Sequence, residues 1–296
     1  MAQLRGGLIG CGFFARNHLH AWREVSGATI VAVADINLDR ARAYAREFGV
    51  ASAYGDPEAM LHRERLDFVD IVTQPSAHAP LIELAARHGV HVICQKPLAP
   101  SLEEAREAVR ACREAGVRLM VHENFRWQAP MRALKRLATE SLGTLFFGRI
   151  AFRSGFDVFR DQPYLAYEPR FIVYDLGVHL LDLARFFFGD FNRLTCQVQR
   201  IRPGIKGEDV ATILLAAPDG ATCVVELSYA SKLERELFPQ TLVHLEGTRG
   251  SATLEPDYLL VHVANGTVQR RRGIGARRLG QRGSRLGFPR CGGRGR

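Results

Sequence analysis

Along the first 125 residues, short apolar, β-branched runs alternate with segments of helical texture. Arg5–Ile9 reads as a strand and Phe14–Val25 as a helix. Thr29–Ala34 is a buried strand, and Leu38–Phe48 an Ala/Arg-rich helix closed by Gly49. Asp67–Thr73 and Val90–Cys94 read as strands around an Ala79–His88 helix, and Val117–Val121 is a fifth strand. Before it, Ser101–Ala115 is a helix whose Ser101 and Glu104 have the spacing of a capping box. Strands and helices in alternation with short connections predict an α/β fold with a doubly wound parallel sheet.

After Trp127 the pattern changes. Met131–Thr139 is helical, Leu145–Phe152 a strand, Gly155–Val173 a long aromatic loop, and Asp175–Phe188 a helix ended by Gly189. Only strands follow: Leu194–Ile201, Val210–Ala216, Ala221–Tyr229, Leu242–Glu246, Ala252–Glu255, Tyr258–Val263 and Thr267–Arg270, the last two flanking an Asn265-Gly266 hairpin signal. This predicts an α+β domain with a mostly antiparallel open sheet. The expected division is 1–125, 126–269 and an Arg/Gly-rich segment 270–296 without apolar periodicity, read as disordered. The aromatic clusters Phe146-Phe147 and Phe186–Phe188 read as core or interface.

Charge sharpens this division. The formal net charge is +9, but ten arginines and no acid lie between Arg270 and Arg296. The body is therefore close to neutral, which argues against general nucleic-acid binding and leaves only the tail able to support it. The six cysteines form no C-x-x-C pair and suit a reducing, cytoplasmic setting. No run is long enough for a membrane helix, and the stretch before Cys11 is too short for a lipoprotein signal. His18, His20, His88 and His91 show no metal-ligand spacing, and no metal is expected.

Candidate chemistry begins at Gly10-Cys11-Gly12-Phe13-Phe14-Ala15, a G-x-G-x-x-A turn between the first strand and helix. Gly10 permits the tight turn, Gly12 lets backbone amides approach a pyrophosphate, and Ala15 keeps helix and strand close. Asp35 ends the second strand, 20 residues beyond Ala15, where a carboxylate accepts ribose hydroxyls and repels a 2′-phosphate. No Arg or Lys stands at Ile36, Asn37 or Leu38, so NAD is favoured over NADP.

Gln95-Lys96-Pro97 follows the fourth strand at its carboxyl end, where Lys96 can hydrogen-bond a substrate oxygen or simply be a surface lysine. Asp175 and His179 are four residues apart, so both can share a helix face, with the carboxylate orienting an imidazole that takes a hydroxyl proton. Gly177 between them would leave room for a ring. The same pair also fits an N-capping Asp and a core histidine. Arg160, Tyr164 and Arg170 stand on the aromatic loop, which is expected to line a substrate pocket.

The glycine turn, Asp35, Thr73-Gln74-Pro75 with His78, Lys96-Pro97, Asn124-x-Arg126 and Asp175-x-Gly177-x-His179-x-x-Asp182 occur in order. Together they resemble the glucose–fructose oxidoreductase / inositol dehydrogenase (GFO/IDH/MOCA) family over roughly residues 5–269. The resemblance implies a Rossmann domain followed by an open-sheet domain, and reversible hydride transfer between NAD and a hydroxyl carbon of a sugar, cyclitol or related polyol. It maps the catalytic lysine, aspartate and histidine onto Lys96, Asp175 and His179. It implies a cofactor site of Gly10, Gly12, Phe13, Phe14, Ala15, Asp35, Thr73, Pro75, His78, Gln95, Lys96 and Asn124. Substrate contacts would come from Lys96, Arg126, Arg160, Arg170, Asp175 and His179, with Asp182 holding the helix. It also implies a homo-oligomer formed through the second domain's sheet.

The chain departs from that family in two places. Gln95 stands where a Glu usually precedes Lys-Pro, and the Arg/Gly segment stands where further strand and a closing helix usually follow. The latter is expected to be a frame-shifted or truncated end. The competing functional classes are a non-catalytic NAD- or sugar-sensing regulator on the same fold and, through the tail alone, a nucleic-acid binder.

Overall fold

The computed structural model describes residues 3–264 and 267–272. The chain forms two compact units, Met1–Glu123 and Asn124–Arg296.

The first unit is built on a six-stranded parallel sheet. Its strands are β1 (Leu4–Ile9), β2 (Ala28–Ala34), β3 (Ser52–Tyr54), β4 (Phe68–Ile71), β5 (His91–Gln95) and β6 (Leu119–His122). They lie in the order β3-β2-β1-β4-β5-β6, so the winding direction reverses between β1 and β4. Both sheet faces are buried, as a crossover fold requires. Leu8, Ile30 and Val33 face Leu19, Tyr44 and Phe48 of α1 (Ala15–Trp22) and α2 (Leu38–Phe48). Their neighbours Ile9, Ala32 and Ala34 point the other way. There they join Met60 and Leu61 of α3 (Pro57–Arg63), Ile82 and Ala85 of α4 (His78–Arg87), and Ala108 and Cys112 of α5 (Leu102–Glu114).

The helix ends obey the capping signals. Gly49 closes α2 in the left-handed region at φ 65°, and Ser101 accepts from the Glu104 amide while its hydroxyl donates to the Glu104 carboxylate. The sequence reading omitted β3 and α3, so it counted one strand too few. Three residues of β3 are too short for a periodic signal, yet α3 carries Asp56 as N-cap and Pro57 at its first position.

The second unit has an eight-stranded sheet in the order β14-β13-β12-β11-β7-β10-β9-β8. The strands are β7 (Leu145–Arg153), β8 (Arg193–Gln199), β9 (Val210–Ala216), β10 (Thr222–Ser228), β11 (Leu242–Gly247), β12 (Gly250–Glu255), β13 (Leu259–Ala264) and β14 (Thr267–Arg272). Every pair is antiparallel except β7 with β10. Register aligns one buried stripe across six strands: Ile213, Val225, Ile150, Val243, Leu254 and Leu260. Met131, Leu134 and Ala138 of α6 (Ala129–Glu140) and Leu180, Leu183 and Phe187 of α8 (Val178–Phe188) join this core. The side chains of β8 are exposed throughout.

Three expectations are corrected here. The aromatic loop is not wholly irregular: it holds α7 (Val158–Asp161) and a 3-10 segment, Pro163–Tyr167. The helix expected from Asp175 begins earlier, through a π turn over Val173–Gly177. And β14 runs past Arg270, with Arg270–Arg272 opposite Val261–Leu259. Ladder pairing uses backbone groups, so apolar periodicity is not needed to continue a strand. Residues 273–296, where disorder was expected, and the Asn265-Gly266 turn lie outside the described residues. Among the described residues, no helix is long and apolar enough to cross a membrane.

Candidate active site

In the first unit, the expected cofactor residues gather at the carboxyl ends of the parallel strands. Gly10, just beyond β1, has φ 97°, and a Cβ there would lie 2.4 Å from the Val72 carbonyl oxygen. Both facts demand glycine. At Gly12 the same construction meets nothing within 4 Å, so the backbone there stands open. Tyr44 donates to the Gly12 carbonyl at 2.8 Å and holds the turn against α2. The start of α1 has no side-chain cap and no acid in its first turn, leaving the positive end of the helix dipole to an outside anion. Phe13 and Phe14 stand exposed beside it, while Ala15 is buried under the strand.

Asp35 is buried, with 7% of its surface exposed, and its two oxygens are fixed separately. One accepts the Cys11 amide and the other the Asn37 amide, each at 2.8 Å. This ties the strand end to the glycine turn and orients the carboxylate. Arg40 approaches Asp35 to 3.9 Å, just beyond the stretch Ile36, Asn37, Leu38 that carries no basic side chain. Burial, then the Asp35 charge, push the Cys11 thiol up to about 12, so it remains protonated.

His78 is fully buried. Its Nδ1 lies 2.9 Å from the Pro97 carbonyl oxygen and its Nε2 3.2 Å from that of Thr73. Burial lowers its pKa despite these acceptors. The ring therefore braces the loop after β4, with Thr73 and Pro75, against the loop after β5. It presents no surface to a ligand, and its contribution to a cofactor site is indirect.

Lys96 follows β5 beside a buried polar chain that sequence reading missed. The Lys96 amide donates to Gln95 Oε1 at 2.7 Å. That fixes the amide orientation, so Gln95 Nε2 faces His18 Nε2 at 3.0 Å and His122 Nδ1 at 3.4 Å. His18 Nε2 must then accept, which places the ring proton on Nδ1, 2.8 Å from Asp70 Oδ2. Trp22 Nε1 donates to the same oxygen at 2.7 Å. Asp70 is 1% exposed, and its other oxygen has no hydrogen-bond partner among the described residues. The bonded side chains of this chain stand 27 to 77 residues apart in sequence, a separation no local pattern reveals.

In the second unit, Asp175 lies inside the π turn, its amide bonded to the Phe171 carbonyl at 2.8 Å. It is not an N-cap. Glu208 caps the turn instead, its carboxylate accepting the Phe171 and Val173 amides at 3.2 and 3.1 Å. Gly177 faces Leu227, 3.2 Å from where its Cβ would stand, so its small size serves packing against β10 rather than room for a ring. His179, in the first turn of α8, is 7% exposed and stacks on Phe125 with ring centroids 4.0 Å apart.

Partial burial, then the Asp175 and Glu168 charges, push the Tyr164 phenol up to about 12, which places this loop hydroxyl within the electrostatic reach of Asp175. Arg170 lies over the Tyr174 ring, 5.0 Å from its centroid, and Arg160 belongs to α7. Arg126 makes a two-pronged ion pair with Asp182, its Nε at 2.6 Å, and covers Phe186. Its charge is thus already matched by a carboxylate. Asn124 Oδ1 is buried without a hydrogen-bond partner among the described residues, an acceptor suited to an amide or hydroxyl donor.

The chain matches an oxidoreductase family model described as having an NAD-binding Rossmann fold over residues 4–123, and a GFO/IDH/MocA C-terminal domain over 131–253. It is 55% identical over 267 residues to a D-apiose dehydrogenase of Paraburkholderia graminis, covering 90% of this chain and 71% of that protein. A D-apiose dehydrogenase of Rhizobium rhizogenes is 51% identical, with 88% and 76% covered. Among solved structures, an oxidoreductase from Agrobacterium radiobacter in complex with NAD+, L-tartaric acid and magnesium superposes with a TM-score of 0.90 at 48% identity, over 92% of this chain and 80% of that one. The six parallel strands, the glycine turn and the anchored Asp35 fit an NAD-binding domain of this kind, and the chain belongs to the GFO/IDH/MocA family of oxidoreductases.

Proposed function

We propose that this protein is an NAD-dependent sugar dehydrogenase and that D-apiose is the first substrate to test. The observation that carries the reading is the carboxyl edge of the parallel sheet, where the anchored Asp35, the open Gly12 turn and the Gln95-supported Lys96 occur together. The D-apiose dehydrogenases at 55% and 51% identity support a sugar, and the tartrate held by the Agrobacterium relative supports a small polyhydroxylated molecule.

The nicotinamide of NAD supplies a carbon that accepts a hydride with its electron pair. Gly10, Gly12 and the start of α1 bind the pyrophosphate, and Asp35 accepts the adenine ribose hydroxyls. His179 takes the proton of the reacting hydroxyl as the C–H bond gives up its hydride and a carbonyl forms. Asp175 orients that imidazole and favours its charged form. The Lys96 ammonium hydrogen-bonds a substrate oxygen and favours negative charge developing on it. Tyr164, whose phenol donates to Gln162 Oε1 at 2.9 Å, is left to accept from a sugar hydroxyl. Arg160 and Arg170 contact the sugar from the aromatic loop. A homo-oligomer forms through the second unit's sheet, where Leu194, Val198 and Leu214 are exposed.

The test is NADH formation from D-apiose and a sugar panel, with Lys96→Ala and His179→Ala as controls. NAD-dependent turnover lost in both variants supports the reading. NAD binding without turnover of any sugar would instead favour a regulatory protein on this fold.

A further inference from the structure

We propose that Glu58, His62 and His88 form a binding site for a divalent transition metal of the zinc class, at the edge of the first unit's sheet opposite the cofactor residues. The three side chains each offer one ligand atom, and these atoms all lie within 4.8 Å of one another. Two imidazoles and a carboxylate are the donor set of three-ligand zinc sites, with a fourth position left for water. Among the described residues, this is the one such grouping of three His, Cys, Asp or Glu side chains.

Sequence order hides the site and the fold assembles it. Glu58 and His62 are four apart on α3, so they project from the same side of that helix. His88 is the C-cap residue of α4, 26 positions beyond His62. The imidazole rings meet edge to face with centroids 4.5 Å apart. None of the three side chains makes a hydrogen bond or ion pair within the described residues, so no described protein donor competes for the three ligand atoms.

Helix polarity favours a cation at the same place. His62 lies in the last turn of α3 and His88 at the end of α4, where the unsatisfied carbonyls of both helices concentrate partial negative charge. Both helix ends lead into strands β4 and β5 at their amino ends, whereas Gly10, Asp35 and Lys96 lie at carboxyl ends. The ion would therefore tie α3 to α4 without touching the dehydrogenase chemistry, and its occupancy reads out as stability.

The experiment uses the full chain, free of any affinity tag and stripped with chelator, titrated with Zn2+ by calorimetry and followed by thermal unfolding. The expected result is one ion per chain, a higher unfolding temperature in zinc, and affinity at least about tenfold weaker in His62→Ala and in His88→Ala. Among the described residues Cys196 is the exposed thiol, and Cys291 lies outside them, so the double variant Cys196→Ser/Cys291→Ser should leave binding unchanged. Co2+ added to the unaltered chain should give a nitrogen/oxygen-type visible spectrum. Zinc uptake equal in wild type and both histidine variants, no uptake by the folded wild type, or thiolate-to-cobalt absorption would each overturn the proposal.

Discussion

The Asp35 carboxylate is held by two backbone amides, so its position is fixed before any cofactor arrives. Replacing it with Ala removes the repulsion of a 2′-phosphate while Arg40 remains nearby. Asp35→Ala is expected to raise the ratio of kcat/KM for NADP to that for NAD by about tenfold or more, roughly 1.4 kcal/mol. An unchanged ratio would remove Asp35 from cofactor selection. Gln95 makes a second residue-scale case. Gln95→Leu deletes both the Lys96 amide acceptor and the His18 donor, and kcat is expected to fall about tenfold with a smaller change in KM. Gln95→Glu keeps the acceptor and should retain most of the activity. His78 gives a pH signature. Its folded-state pKa is lowered from 6.5 by burial, so the stability it contributes is complete above 6.5 and is lost as pH falls from there toward the folded value. Unfolding temperatures measured from about pH 8 to about pH 5 should fall less steeply for His78→Gln than for wild type; parallel curves would contradict this.

At the scale of elements, the start of the helix carrying His179 depends on Glu208, a residue 37 positions from Phe171. Glu208→Ala leaves two amides at the π turn without their acceptor and is expected to cost about 1–3 kcal/mol of stability in chemical unfolding. Glu208→Gln should recover part of it. This helix also marks the limit of reading from sequence. The 3.6-residue period located Asp175–Phe188 within two residues of its amino-terminal turn, but a π turn has no hydrophobic signature distinct from an α turn. Leu38–Phe48 was legible to the residue because Gly49 caps it, and Val210–Ala216 because its apolar run ends before the Pro218-Asp219-Gly220 turn. The Gly10 turn was legible because a glycine requirement is local. The His18–Asp70–Gln95 chain and the Glu208 cap were not, since buried polar pairs are chosen by the fold across long separations. Gly177 was misread for the same reason: its neighbour is Leu227, on a strand 50 residues away.

Across the whole molecule, charge is unevenly distributed: ten of its 40 basic residues lie in Arg270–Arg296 and the remainder nearly balance the 31 acids. Retention on a heparin matrix at low salt is therefore expected of the full chain and not of a chain ending at Arg272; equal retention of both would place the basic surface in the body. The two units divide the proposed chemistry. The first carries the cofactor turn and Lys96, and the second carries Asp175, Tyr164 and His179. The most direct test of the account is steady-state NADH formation by the full chain with NAD and D-apiose, set beside other aldoses and polyols. The account predicts turnover of a sugar with NAD, with kcat lowered by about 10²–10⁴ in His179→Ala while NAD still raises that variant's unfolding temperature. Wild-type activity surviving undiminished in His179→Ala and in Lys96→Ala would contradict it.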